Sequence, residues 1–421
     1  MQNTWGMLGP EHLSSSRRTR TLGLGTAVRQ FNELAVPGLG GVWFGKQVML
    51  AMLGLRVAEL ARENGAKASN IEVANAIEAL ACLFEFKRNK WKRDGRLRGN
   101  TKLQGGDDDY RFSRLKQRNF YVTQPMRMTT VQALPSLGFV RSDSARFNAF
   151  RSTETGRDFI EQADIAVLDK LVKWIGGSIK VDSKSMIDAL SPVQPLSTAA
   201  ASMLVEGLRH GQLGSEELRQ RRSHALAWVE RLRNQGNIAP SWATKPPEIT
   251  DEHWCDLKAG AKLFTLRDAA ITVLNDLEGD LGSRTKPAFR LGSKLPGPVK
   301  SGLDTLRILA SEYLKLGHPQ PDADLFSKEC QSEATHVLGL LVERDGRVLR
   351  RAGDEIHPSM AYTGRPPAIT SQVDDADQPD TATLSLPEGI SYRVGNLYLL
   401  NLDLNGGLDT WLKRQQGAAQ P

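Results

Sequence analysis

Between Lys87 and Lys102, eight of sixteen residues are lysine or arginine and only Asp94 is acidic. The cations are Lys87, Arg88, Lys90, Lys92, Arg93, Arg96, Arg98 and Lys102, with Trp91 among them. Cations at this density repel one another unless an anion shares them, so the run suits contact with a phosphodiester backbone. Trp91 offers a flat ring that stacks on a base or anchors the loop. A second group, Arg127, Thr129, Thr130 and Gln132, falls in a stretch read as helix over 125–137, where it can donate to phosphates and base edges. Arg141 and Arg146 flank a strand, polar turn and strand read over 138–151.

Other constellations are weaker. His210 and His224 lie fourteen apart and fit no zinc spacing. Asp251-Glu-His-Trp-Cys255 groups an acid, a histidine and a thiol, but residues 253 and 255 at a helix start point different ways. Asp182-Ser-Lys184 has the form of a magnesium nuclease motif, and its nearest upstream acid, Asp169, reads as helical. Asp403 and Asp409 beside Gly406-Gly407 read as a turn before a cation site. The glycines of 36–44 match no phosphate-loop pattern. Cys82, Cys255 and Cys330 are far apart, with no CxxC, as in a reducing compartment. The expectation is no catalytic residue, no metal and no cofactor.

The elements that must position these residues follow from length and periodicity. The chain has 421 residues and a net charge of +7. Residues 1–150 hold 23 Lys/Arg against 12 Asp/Glu; the remainder holds 32 against 36. A basic part joined to a mildly acidic part suggests a polyanion-facing surface and a surface for a protein partner. No apolar run approaches the ~20 residues of a membrane span, and no secretory signal is evident, so a cytoplasmic location without membrane contact is expected. Helical spacing predicts helices over 43–64, 71–86, 110–118, 155–171, 197–210, 215–235, 251–280, 298–317 and 322–340, with Ser69 or Asn70 as a cap. Asp345-Gly346 reads as the turn of a hairpin over 341–350, and 392–404 as strand before a short helix at 407–414. Residues 364–389 read as a loose acidic loop.

Two steps of this order carry a resemblance. Thr129-Thr-Val-Gln-Ala-Leu-Pro-Ser-Leu-Gly-Phe-Val-Arg141, followed by Arg146-Phe-Asn-Ala-Phe-Arg-Ser-Thr-Glu-Thr-Gly-Arg-Asp-Phe-Ile160, resembles the recognition helix, wing and final helix of prokaryotic winged-helix proteins. The resemblance covers residues 70–162, about a fifth of the chain, with Lys87–Asp109 as an insertion. It implies a winged-helix DNA-binding unit over 21–175; with the composition and periodicity of the rest, the expectation is a mainly α chain with small β hairpins (α+β), a flexible 1–20, a helical connector over 176–240 and a mostly helical interaction domain with a terminal β segment over 241–421. The charge split together with the absence of a catalytic constellation points to a duplex-DNA-binding subunit of a multi-protein bacterial system of the mobile-element or anti-phage type. The alternatives are a transcription regulator with a sensing or dimerisation domain, and a metal-dependent nuclease.

Overall fold

The computed structural model describes residues 20–105, 109–117, 119–163, 167–181, 186–235, 241–366 and 386–418. The N-terminus expected to be flexible, Asp182–Lys184, most of the stretch expected to be an acidic loop and the Gly236–Pro240 part of the expected boundary lie outside the described residues. In chain order the helices of the first half are α1 (Gly25–Ala35), α2 (Gly45–Glu63), α3 (Asn70–Arg88), the single turns α4 (Asn100–Leu103), α5 (Phe112–Leu115) and α6 (Ala133–Ser136), then α7 (Glu154–Gln162), α8 (Leu168–Ile175) and α9 (Ile187–Leu190). α10 (Thr198–His210), α11 (Glu216–Gln235), α12 (Asp251–Gly282), α13 (Gly297–Leu314), α14 (Pro321–Glu329), α15 (Ala334–Asp345), α16 (Tyr392–Leu404) and α17 (Leu408–Ala418) follow. Among the described residues the strands form two small antiparallel sheets: β1 (Val140–Arg141) with β2 (Arg151–Ser152), and β3 (Phe289–Arg290), β4 (Leu349–Ala352) and β5 (Glu355–Pro358) in the order β3-β5-β4. The expected mainly helical chain with small β hairpins is what the structure contains.

The chain divides into two units, each built from separated segments. One comprises the described residues within Met1–Phe31 and Cys255–Asp377; the other those within Asn32–Trp254 and Gln378–Pro421. We call them the hairpin unit and the loop unit. This replaces the consecutive domains expected at 21–175, 176–240 and 241–421. The expected connector belongs to a core, because α10 packs on α11 and α11 on α16. The last helices thus return to the segment that carries the basic run.

The loop unit is organised around α2. Val48, Met49, Met52, Leu53 and Leu55 are each at most 2% exposed, and burying side chains of this size contributes roughly 2 kcal/mol apiece. α2 and α3 pack together, and α7 and α8 also pack on α2. α16 is buried on almost every side, with Val394, Leu397, Leu399 and Leu400 at 0% exposure, which corrects the strand expected there. A helix without a polar face gives no 3.6-residue period to read.

In the hairpin unit, Arg20 is buried beside Glu278 (3.0 Å), Asp345 (3.5 Å) and the Asn275 amide oxygen (2.8 Å). A buried guanidinium is tolerated when carboxylates and acceptors surround it in this way. The hairpin expected at 341–350 is corrected too. Residues 341–345 finish α15, and Gly346 (φ 57°) is its left-handed C-cap. The hairpin runs instead from Leu349 to Pro358 around Gly353-Asp354, with Ala352 opposite Glu355.

Candidate nucleic-acid interface

α3 positions the basic run. Ser69 and Glu72 form a capping box at its start. The Asn70 amide donates to the carbonyls of Phe147 (3.1 Å) and Phe150 (3.0 Å), which pins the first turn beneath the β1–β2 connection. Nineteen residues at about 1.5 Å each place the other end of α3 about 28 Å away. There Lys87 and Arg88 complement the carbonyl end of the helix.

The chain then reverses. Lys90 (φ 56°) and Trp91 (φ 61°) both adopt left-handed backbone, a region that costs a residue with a side chain about 1–2 kcal/mol. The Trp91 N–H donates to the Phe86 carbonyl at 2.8 Å, and its indole stacks on Phe86 with ring centres 5.3 Å apart and planes 7° from parallel. Trp91 is therefore the anchor of the loop, and one of its faces is already covered. Lys90, Lys92 and Arg93 stand exposed on this turn. Among the described residues none of the three has a side-chain hydrogen bond or ion pair.

The rest of the run is engaged. Arg96 is buried between Asp94 (2.9 Å) and Asp409 of α17 (2.8 Å), and also donates to the Val193 carbonyl. Arg88 pairs with Glu85 and with Asp188 (2.7 Å). Lys87 donates to the Tyr110 hydroxyl at 2.6 Å, and Lys102 to the Asn119 carbonyl at 3.2 Å. Arg98 is half-buried, and its backbone N–H bonds the Cys82 thiol. Arg88 and Arg96 are corrected from phosphate contacts to internal ties, since each neutralises a carboxylate of its own chain.

The recognition helix expected at 125–137 is also corrected. Met126–Thr130 form one 3-10 turn, and α6 follows as a separate short helix. The Thr129 and Thr130 hydroxyls donate to the carbonyls of Met126 (2.6 Å) and Arg127 (2.8 Å), three residues back, which favours the tighter turn. Glu78, fully buried, accepts from the backbone N–H of Met126 (2.7 Å) and Arg127 (3.2 Å) and from the Tyr121 hydroxyl (3.0 Å). Burial pushes the Glu78 carboxyl up to about 7 and the neighbouring Cys82 thiol up to about 12. The Arg127 guanidinium donates to Asn75 at 2.5 Å and lies over the Phe147 ring. Gln132 accepts from Arg393 at 2.5 Å. Each of these four residues thus has a hydrogen-bond partner within its own chain, Gln132 at the surface and the other three partly or fully buried.

Arg141 and Arg146, by contrast, are exposed. Arg141 stands directly opposite Arg151 in the β1–β2 pair, and like charges in that position repel. Arg151 was not legible beforehand, because only the register brings it to Arg141. The loop unit thus carries two sets of unsatisfied cations: Lys90, Lys92 and Arg93 beyond one end of α3, and Arg141, Arg146 and Arg151 over the other.

Three of the remaining constellations fall among the described residues. The His253 ring contacts the Ala35 carbonyl at 3.1 Å inside the protein while Cys255 is exposed. His210 lies 3.8 Å from Glu206, and among the described residues no group of three His, Cys, Asp or Glu could hold a metal. Asp403 accepts the Gly45 N–H at 2.8 Å, capping α2, and burial raises its carboxyl above the ordinary value. It lines a cleft of about 520 Å³ with Leu196, Ser202 and Arg209, and Arg209 is tied to Glu230. Among the described residues no helix is long and apolar enough to cross a membrane.

Fold and surface together define a mainly helical chain of two units with a strained cationic loop at the end of a long buried helix. No family model, no curated protein and no solved structure matches it.

Proposed function

We propose that the chain is a duplex-DNA-binding component of a larger assembly, and that its loop unit grips the phosphate backbone without reading bases. The observation that carries this is the turn at Asn89–Arg93. Two consecutive left-handed residues hold Lys90, Lys92 and Arg93 in solvent, and among the described residues no carboxylate pairs with them. Strain and repulsion kept together on one surface are a cost to folding that a bound anion relieves. The like-charged Arg141–Arg151 pair repeats the repulsion beside the opposite end of α3, a helix about 28 Å long. That interval approaches one turn of duplex, about 34 Å. A single small anion cannot satisfy both sets; a continuous polyanion can.

The test is a salt titration of the full chain on a mixed-sequence duplex of about 30 base pairs, comparing the parent with K90E/K92E/R93E. Loss of three phosphate contacts lowers the slope of log affinity against log salt by about 3, with affinity down at least tenfold at moderate salt. The parent binds unrelated duplexes through this unit alike. Equal slopes for parent and variant would remove the reading.

A further inference from the structure

The cleft of about 520 Å³ lies wholly within the loop unit, between α10, the segment before it and the turn from α16 to α17. A volume of this order suits a small molecule. Leu196, Val205 and Leu404 give it an apolar wall. Its floor is closed by the first turn of α2, where a side chain at Gly45 would meet Leu196 at 2.6 Å and Asp403 at 3.5 Å.

The polar lining divides unevenly into donors and acceptors. Asp403 accepts the Gly45 N–H with one carboxylate oxygen (2.8 Å), and among the described residues the other has no hydrogen-bond partner. The Asn405 amide nitrogen donates to the Asn401 carbonyl at 2.7 Å, which leaves its oxygen. The Ser202 hydroxyl donates to the Thr198 carbonyl at 2.9 Å, which leaves its lone pairs. Glu206 adds a second carboxylate, 3.8 Å from His210. Against these stand the Thr198 hydroxyl and Arg209, which already donates to Glu230 at 2.8 Å. The capacity that remains is mostly for accepting, and two of the acceptors are carboxylates.

Two cations near Asp403 do not remove this imbalance. Lys46 donates to the Ala189 carbonyl at 3.2 Å, and Arg96 is held between Asp94 and Asp409. Among the described residues neither forms an ion pair with Asp403. Burial outweighs their attraction, raising the Asp403 carboxyl above its ordinary value and lowering the Lys46 amine to about 8. The carboxylate therefore lacks solvation that a bound cation would replace.

We propose that the cleft binds an aliphatic primary amine as its ammonium, with the nitrogen at Asp403 and Asn405 and the chain along Leu196, Val205 and Leu404. An ammonium offers three donors and no acceptor, the complement of what the lining leaves open. An anion would meet Asp403 and Glu206 with like charge. Among the described residues no three His, Cys, Asp or Glu come together to hold a metal ion instead. The site does not rest on the DNA contact.

The test is calorimetric titration of the full chain with pentylammonium, 1-pentanol and pentanoate, which share a chain and differ at the head. The net charge of +7 opposes general uptake of a cation. Pentylammonium should bind roughly tenfold more tightly than either of the others. Asp403→Asn keeps an oxygen for the Gly45 N–H and turns an amide nitrogen to the cleft. It should weaken the ammonium roughly tenfold with the thermal midpoint little changed. Ser202→Phe, at an exposed position of α10, should fill the cleft and do the same without touching the carboxylate. Undetectable ammonium binding, no preference over the alcohol, or parental affinity in both variants would overturn the proposal. N-acetyl-lysine methylamide then identifies the source of the ammonium. Weaker binding than pentylammonium assigns the cleft to a free amine, and tighter binding to a lysine side chain held by the same contacts.

Discussion

The densest run of cations in the chain and one of its most dilute end with similar numbers of free charges. Lys87–Lys102 packs eight into sixteen residues, yet among the described residues only Lys90, Lys92 and Arg93 are exposed with no side-chain hydrogen bond or ion pair. In the hairpin unit Lys286, Arg290, Lys294, Arg347 and Arg350 are spread over 65 residues, interrupted by acids, and among the described residues none of the five has a side-chain hydrogen bond or ion pair. The difference is geometric. The run follows a helix end that packs against other segments, so Glu85, Asp188, Asp94 and Asp409 reach its guanidinium groups. Strands only two to four residues long turn their outer side chains to solvent, and distant positions meet there through register alone. Charge density along a chain is therefore a poor measure of charge offered to a ligand.

The largest effect expected in the loop unit comes from a residue with no role in binding. Glu78→Ala would leave two buried backbone N–H groups and the Tyr121 hydroxyl without their acceptor and open a cavity, a loss of about 3–4 kcal/mol in chemical denaturation. Its pH dependence is equally specific. Burial raises the folded carboxyl to about 7 from an ordinary 4.5, so between those values the folded chain holds a proton that the unfolded chain releases. The stability attributable to this group is complete below about pH 4.5 and is lost as pH rises through 7. Glu78→Gln removes that dependence. The variant should be the less stable at pH 5, because its amide cannot accept from both N–H groups, and should gain on the parent towards pH 8. Denaturation midpoints that run parallel across this range would show that Glu78 does not titrate there.

A smaller effect tests whether engaged cations differ from free ones. Arg96→Ala removes a guanidinium that serves two carboxylates and a carbonyl, leaving Asp94 in a partly buried site, and should cost about 2–3 kcal/mol. The salt slope of DNA binding by the protein that remains folded should not move. A slope lowered as much as by reversal of Lys92 would mean that the internal pairs open on binding, and the contrast between engaged and free cations would fail.

The same contrast explains what could be read in advance. α2, α3, α10, α11, α12 and α13 were legible because caps and apolar spacing agree locally, as at Ser69 and Glu72. Residues 322–340 read as one helix because the break at Cys330–Glu333 contains neither glycine nor proline, and because glutamate is an uncommon N-cap. Asp345-Gly346 misled for a physical reason: one left-handed glycine serves a hairpin turn and a helix C-cap equally well. Burial of Leu341 and Val342 with Val337 and Leu338 decides for the helix, and burial is a tertiary property. Within 129–160 the strand, turn and strand read from the sequence corresponds to the β1–β2 pair, and Thr153 caps α7. What failed was the helix before it. Its backbone is held by Glu78, whose partners lie some fifty residues away in sequence.

The smallest effect bears most directly on the loop. Lys90 occupies left-handed backbone that glycine adopts without penalty. If the strain persists only because the turn must present its cations, Lys90→Gly should stabilise the loop unit by up to about 1 kcal/mol, less what glycine's greater freedom in the unfolded chain takes back. The same variant should lower the salt slope of duplex binding by about one, the share of a single phosphate contact. Stability and affinity would then move in opposite directions from one substitution, as at sites where function is maintained against folding. If Lys90→Gly destabilises the chain, the lysine stem is packing on its neighbours and the left-handed turn is merely tolerated. If stability rises and the slope stays, Lys90 faces no phosphate, and the loop contact reduces to Lys92 and Arg93.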